Sequence, residues 1–199
     1  WLTSNKPNWG SKWQAGDVKY KDLTGEGEVT PGASTLENHG DLKRIGNNSP
    51  RYRVGLNLDA AWKGIDFSIF FQGVLKRDWM FDAGDPYFWG AGSGMWQAAC
   101  FEEHMDYWTP ENPDAYYPKP YFNETKNQQA QDAYMQKASY LRCKNIQLGY
   151  TLPTHITEKA GISNCRIYLS CDNLFTITGY SGYDPEVNTK PNGGLSPGV

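Results

Sequence analysis

The residues from Ala138 to Phe175 read as two strands joined by a short turn region, and the strict alternation within each strand limits the architectures open to the chain. Ile146, Leu148, Tyr150 and Leu152 share one face of an extended segment, and Asn145, Gln147, Gly149 and Thr151 share the other. After a turn region, Cys165, Ile167, Leu169 and Cys171 alternate with Arg166, Tyr168, Ser170 and Asp172. A repeat of two is the period of a β-strand with two unlike faces. Here one face is apolar and the other is charged, so the strand separates a hydrophobic medium from water. Two settings supply that boundary: a soluble sheet with one face on a core, or a barrel wall with lipid outside and water inside.

A second pair repeats the pattern. Tyr52, Val54, Leu56, Leu58, Ala60 and Trp62 alternate with Arg53, Gly55, Asn57, Asp59 and Ala61. Lys63-Gly64 then makes a tight turn, after which Ile65, Phe67, Ile69 and Phe71 alternate with Asp66, Ser68, Phe70 and Gln72. The chain is therefore read as all-β, with antiparallel strands near 51–62, 65–75, 139–152 and 165–175. Each is close to the roughly 9–11 residues that cross a tilted bilayer. Loops occupy 1–50, 76–138 and 176–199, while the connections inside the two pairs are short. Short turns at one end and long segments at the other are the layout of an outer-membrane barrel with long extracellular loops. Trp62 and Tyr150, beside the short turns, fall where a lower aromatic girdle belongs.

On this reading Arg53, Asn57, Asp59, Asp66, Gln72, Asn145, Gln147, Arg166 and Asp172 face an aqueous lumen. The same alternation puts Arg142 and Lys144 on the apolar phase above Ile146, where they would meet lipid phosphates or snorkel. It also puts Cys143 and Cys171 on opposite faces, which argues against a disulfide between them. The four cysteines show no CxxC or metal-ligand spacing and read as free packing residues.

Composition narrows the choice. A mean hydropathy of -0.68 and the lack of any apolar run of about 18 residues exclude a helical membrane span but not a barrel. A net charge of -3 with no basic run argues against nucleic acid. Trp1 is not a start methionine, and the chain is expected to be a piece of something longer.

The loop from 76 to 138 is dense in aromatics and turn formers, and loops of that length usually carry function. Short helices are expected at Gln97–Met105 and Gln128–Gln136. Flat π faces suit the C–H face of a sugar ring, so Trp79, Phe81, Tyr87, Trp89 and Trp96 are candidate substrate contacts, with most other loop aromatics packing the loop on itself. Glu102, Glu103, His104 and Asp106 are neighbours on one segment, unlike the two carboxylates facing across a cleft that glycosidase chemistry needs. No catalytic residue is assigned. Asp22, Thr24 and Glu26, followed by Gly27, occupy positions 1, 3, 5 and 6 of a calcium-loop pattern, but Ala33 stands at position 12 where a bidentate Glu belongs. The competing reading is a solvated acidic turn, and apart from this possible calcium ion no cofactor is expected.

The blocks GDVKYKDLTGEGEV, WKGIDFSIFFQG, DYWTPENPDAYYP, ASYLRCKNIQLGYTLP and RIYLSCDNLFTITGYSGYDPEV, in this order, resemble the C-terminal part of SusC/RagA-like TonB-linked outer-membrane proteins, from about Gly16 to Val187. That resemblance implies a 22-stranded barrel plugged by an N-terminal domain. It implies import of glycans or peptides captured with a SusD-like surface lipoprotein. The energy would come through TonB, engaged by segments absent here, in the outer membrane of a Bacteroidetes-type Gram-negative bacterium. Four strands cannot close, since the smallest membrane barrels need about eight. Two readings of other classes stand beside it: a soluble β-sandwich carbohydrate-binding module, and a secreted hydrolase fragment that lacks a catalytic constellation.

Overall fold

The computed structural model describes residues 13–93, 100–122 and 124–186. Its elements in chain order are β1 (Arg51–Trp62), β2 (Ile65–Lys76), β3 (Asp78–Trp79), α1 (Pro86–Trp89), β4 (Gln136–Lys137), β5 (Tyr140–Thr151), α2 (Thr154–Thr157) and β6 (Arg166–Thr178). Single 3-10 turns sit at Gly90–Ser93, Glu102–Met105, Lys126–Gln128 and Glu158–Ala160. The four long strands lie within a residue or so of the sequence reading, except that β6 runs three residues further. Of the two expected helices, Gln97–Met105 reduces to the 3-10 turn at its end, with residues 97–99 outside the described residues. Gln128–Gln136 holds no helix beyond the last residue of the turn at Lys126–Gln128. The chain divides into two compact units, Trp1–Gly46 with Met80–Tyr134, and Asn47–Trp79 with Met135–Val199.

The second unit is built on one antiparallel sheet in the order β1-β2-β5-β6, beside the short ladder β3-β4. Lys63 and Gly64 both have positive φ, 47° and 86°, as the two-residue turn between tightly twisted strands requires. The Gly64 carbonyl accepts from Thr151 N at 2.7 Å, tying that turn to β5.

Register converts the alternation into rows. On one face lie Trp62–Ile65–Tyr150–Ile167, Ala60–Phe67–Leu148–Leu169, Leu58–Ile69–Ile146–Cys171, Leu56–Phe71–Cys143–Phe175 and Val54–Gly73–Leu141–Ile177. Five consecutive rows hold no charged or amide side chain. Among the described residues no second layer covers them: Leu56 is 52% exposed, Leu148 52% and Leu169 76%, while the small Cys143, in register with Phe71 and Phe175, is buried. A sandwich module buries this face against a second sheet, and among the described residues there is none. At roughly 3.4 Å per residue the five rows span about 27 Å along the strands. Tilted by about 40°, they make a band close to the ~25 Å apolar belt of outer-membrane barrels. Strands β1 and β6 each have an unpaired edge among the described residues. Edges of 12 and 13 residues with an oily face invite aggregation unless further strands pair with them, as barrel closure does.

A β-bulge between Cys143 and Asn145 shifts the register of β5 against both neighbours. One extra residue swaps the two faces beyond it. Two sequence expectations fail there. Arg142 pairs in register with Gln72 and Thr176, on the wet face rather than at a lipid boundary. Cys143 pairs with Phe71 and Phe175 and so shares the apolar face with Cys171, one row away, although both thiols are free. Phe71 and Phe175 approach to 6.2 Å between ring centres on that face.

Candidate functional site

The wet face carries fixed polar groups. Arg166 grips Asp66 bidentately, Nε donating to Oδ1 at 3.0 Å and Nη2 to Oδ2, and a second Nη2 bond reaches Gln147 at 3.2 Å. Asn145 donates to Asp172 at 2.7 Å, and Asn57 to Asp59. These groups stand where the alternation placed them. They offer a hydrated surface to a solute or a plug, and none is a paired acid and base across a cleft.

At the long-loop end of β5 the bulge delivers Arg142, only 4% exposed at its side chain, into an acidic strap. Its Nη2 lies 2.5 Å from Asp184 and its Nη1 3.3 Å from Glu186, while Lys144 Nζ lies 3.1 Å from Glu186. Arg77 adds a bond from Nη1 to the Pro185 carbonyl at 2.7 Å. The segment Tyr180–Glu186 is thereby pinned by cations from β5 and from the end of β2. Sequence reasoning missed this cluster because the partners lie about forty residues apart and the bulge hid which face Arg142 takes.

The first unit holds an aromatic core. Asp85 caps α1, its Oδ1 accepting from Tyr87 N at 2.9 Å and Phe88 N at 3.1 Å, and Pro86 opens the turn with its φ already set. That start buries Phe88 and Trp89 and leaves Tyr87 55% exposed. Phe88 stacks on Phe81 at 4.5 Å and meets Trp89, Tyr117 and Tyr134 edge-on at 4.8, 5.6 and 6.0 Å. Burial raises the Tyr134 phenol above its ordinary range, and pushes that of Tyr117 up to about 12 with help from Tyr116, Glu103 and Asp106. These phenols stay neutral at physiological pH, and their rings pack against Phe88 and each other.

His104 is structural as well. Its Nδ1 accepts from Phe101 N at 3.0 Å and its Nε2 donates to the Tyr87 carbonyl at 3.0 Å, so both ring nitrogens are used. Gly90, at φ 52°, makes room for that ring, because a Cβ there would collide with Nδ1. A second knot joins distant segments. Buried Lys126 pairs with buried Asp17 at 2.9 Å and stands 4.1 Å from the Tyr121 ring centre. Asn127 accepts from Val18 N at 3.0 Å and donates to Asp17 at 3.1 Å. Nothing in the sequence marks this pair of residues, which reach across more than a hundred positions. Between these two clusters opens a cavity of about 280 Å³ with Trp89 and Tyr117 in its wall.

The candidate substrate aromatics thus separate. Trp79 lies buried in β3 under Arg77, 4.8 Å from its ring centre, and Phe81 is buried in the stack. Neither keeps an open ring face. Trp89, 5% exposed, shows its remaining surface to the cavity, and Tyr87 faces outward. Trp96 lies outside the described residues.

In the acidic loop, Asp22 accepts from Gly25 N at 2.5 Å and Gly27 N at 2.8 Å. Asp41 accepts from Leu23 N at 2.6 Å, Thr24 N at 3.0 Å and Thr30 N at 2.7 Å. Thr24 Oγ1 donates to Asp22 at 3.2 Å. The carboxylates serve as caps for backbone N–H groups. Among the described residues no three His, Cys, Asp or Glu side chains gather as a metal site. The Gly27 and Gly25 amides hold the Asp22 carboxyl below its ordinary value. For Asp41 desolvation works upward, but the Thr30, Leu23 and Thr24 amides outweigh it and the net shift is also downward. A carboxyl depressed on folding stabilises the loop above its unfolded value, near 4, and loses that contribution as pH falls through the folded one. Amide exchange across Thr24–Thr30, corrected for intrinsic rates, is expected to be flat from pH 7 to about 5 and to accelerate several-fold below about 4. Asp41→Asn should make exchange of Thr24 and Thr30 fast at every pH and remove their acid limb, leaving that of Gly25 and Gly27 to Asp22.

No family model matches the chain. It is 31% identical over 175 residues to TonB-dependent receptor P3 of Formosa agariphila, covering 88% of this chain and 16% of that receptor. It is 38% identical over 60 residues to TonB-dependent receptor SusC of Bacteroides thetaiotaomicron, 29% of this chain and 6% of the other. Among solved structures, that of the RagAB peptide transporter superposes with a TM-score of 0.54 at 32% identity, over 69% of this chain and 14% of that one. The chain spans 16–17% of the length of the three curated relatives it matches most fully. An uncovered oily sheet with two open edges needs the rest of a barrel to complete it, and these relatives are proteins of that kind: the chain belongs to the SusC/RagA-like TonB-dependent receptors, and its span fits a C-terminal part of one.

Proposed function

We propose that this segment is four wall strands and the large outer loops of an outer-membrane active transporter that imports oligomeric nutrients, glycans or peptides, with a SusD-like surface lipoprotein and energy delivered through TonB. The observation that carries the reading is the set of five apolar rows backed by a charged, hydrogen-bonded face. Such a sheet is stable only between hydrocarbon and water. The receptor names of the relatives and the RagAB peptide transporter support the transport class. No constellation among the described residues supports an enzymatic role.

In this role the wet face borders the solute path and the plug. The loop unit, with Tyr87 outward and Trp89 in the cavity wall, meets the solute or the lipoprotein. The test is uptake of labelled oligosaccharide and labelled peptide mixtures by cells carrying the full-length receptor, with and without TonB and the neighbouring lipoprotein. Uptake of one mixture that needs both is the expected result. Equal uptake without TonB would overturn the reading.

A further inference from the structure

The cavity of about 280 Å³ in the loop unit is smaller than the roughly 300–1,000 Å³ of sites that enclose a drug-sized ligand. Its volume suits one side chain. Trp89, Met105, Tyr107, Tyr117, Pro118 and Pro120 supply an apolar wall. The wall also contains an imidazole, two amides and the Glu124 carboxylate, but the fold already engages them, Glu124 lying 3.6 Å from Lys126. His104 spends both nitrogens on backbone groups. Asn127 accepts from Val18 N and donates to Asp17. Gln128 accepts from Gly84 N at 2.6 Å and donates to the Gly92 carbonyl. A sugar ring entering here would find little beyond Lys119 and the tyrosine hydroxyls to bond its own hydroxyls, and each buried unpaired group costs about 1–3 kcal/mol. An apolar side chain would leave none. The wall holds two charges: Glu124 faces Lys126, whereas Lys119, 5.7 Å from the Tyr121 ring centre, has no ion pair among the described residues.

We propose that this cavity is a terminal-residue subsite, which takes the bulky apolar side chain of a short peptide's last residue while Lys119 receives its free carboxylate. The proposal rests on the transport reading for its biological setting but not for its test. Gly92 provides a way to close the cavity. Its Cβ would stand at ordinary contact, 3.7 Å from Pro120 and 3.9 Å from Gln128, so a leucine there projects among the wall residues.

The experiment is calorimetric titration of the full-length receptor in detergent with Ala-Ala-Phe, Ala-Ala-Gly, Ala-Ala-Phe-amide and maltotriose. Ala-Ala-Phe is expected to bind about 10-fold or more tighter than Ala-Ala-Gly, the range that burying a Phe side chain supplies. It should also exceed the amide several-fold. Gly92→Leu should abolish the preference for Phe over Gly. Lys119→Met should leave that preference and erase the one for carboxylate over amide. Because Gly92→Leu risks misfolding, the Lys119→Met result decides by itself if the first variant is not recovered. Equal binding of the Phe and Gly peptides, an unchanged carboxylate preference in Lys119→Met, or maltotriose displacing Ala-Ala-Phe overturns the proposal. Energised uptake that survives Gly92→Leu unchanged would remove the subsite and leave the transporter standing.

Discussion

Arg142→Ala is expected to release the strap Tyr180–Glu186, accelerating its amide exchange in the full-length receptor by two to three orders of magnitude. The guanidinium is almost wholly buried and bridges Asp184 and Glu186. Both carboxylates are themselves only 13% exposed. Removing one partner from a buried ion pair costs about 3–5 kcal/mol, because the charge left behind has lost its water and gains nothing in return. Lys144 would remain for Glu186 alone, so Asp184 bears most of the loss. Lys144→Ala should do much less, since Arg142 continues to hold both acids. Double replacement by Arg142→Met and Asp184→Asn should recover much of the single-variant defect, as Glu186 keeps Lys144 and the charge stranded at Asp184 is gone. Unaltered exchange in Arg142→Ala would mean that the strap is held by something other than these ions.

The second large effect belongs to the apolar face. Ile69→Arg, in the middle of the five rows, should destabilise the folded receptor in lipid vesicles by about 2–4 kcal/mol, the cost of a cation at the bilayer midplane. Ser68→Arg, one residue away and on the wet face opposite Asp59 and Gln147, should cost well under half of that. Urea titration of vesicle-inserted receptor reads both. The reverse ordering would turn the sheet inside out.

These two expectations also show how far the sequence was legible. The strands and the Lys63-Gly64 turn were readable because side-chain direction in a strand has a period of two, and because a two-residue turn has few solutions. The charged partners of the wet face followed from the same count. The count failed at Cys143–Asn145, where one inserted residue reverses the phase and no glycine announces it. Arg142 therefore changed from a lipid-facing cation to the centre of an ion cluster, and Cys143 crossed to the apolar face. The loop unit was less legible for another reason. Aromatics such as Phe81, Phe88 and Trp89 look alike in sequence whether they bind or pack, and only long-range partners such as Tyr117 and Tyr134 decide it. The Asp17–Lys126 pair and the bonds from Leu23 N and Thr24 N to Asp41 join loop segments without periodicity, so no local pattern precedes them.

The most direct test of the central claim is the collision accessibility of nitroxides placed at Leu58, Leu148 and Leu169. They would be read in full-length receptor in lipid vesicles, with the native cysteines replaced. If these faces look onto hydrocarbon, all three labels will collide freely with dissolved oxygen and hardly at all with a water-soluble nickel chelate. Labels closed to both reagents, as beneath a second layer of protein, would contradict the account.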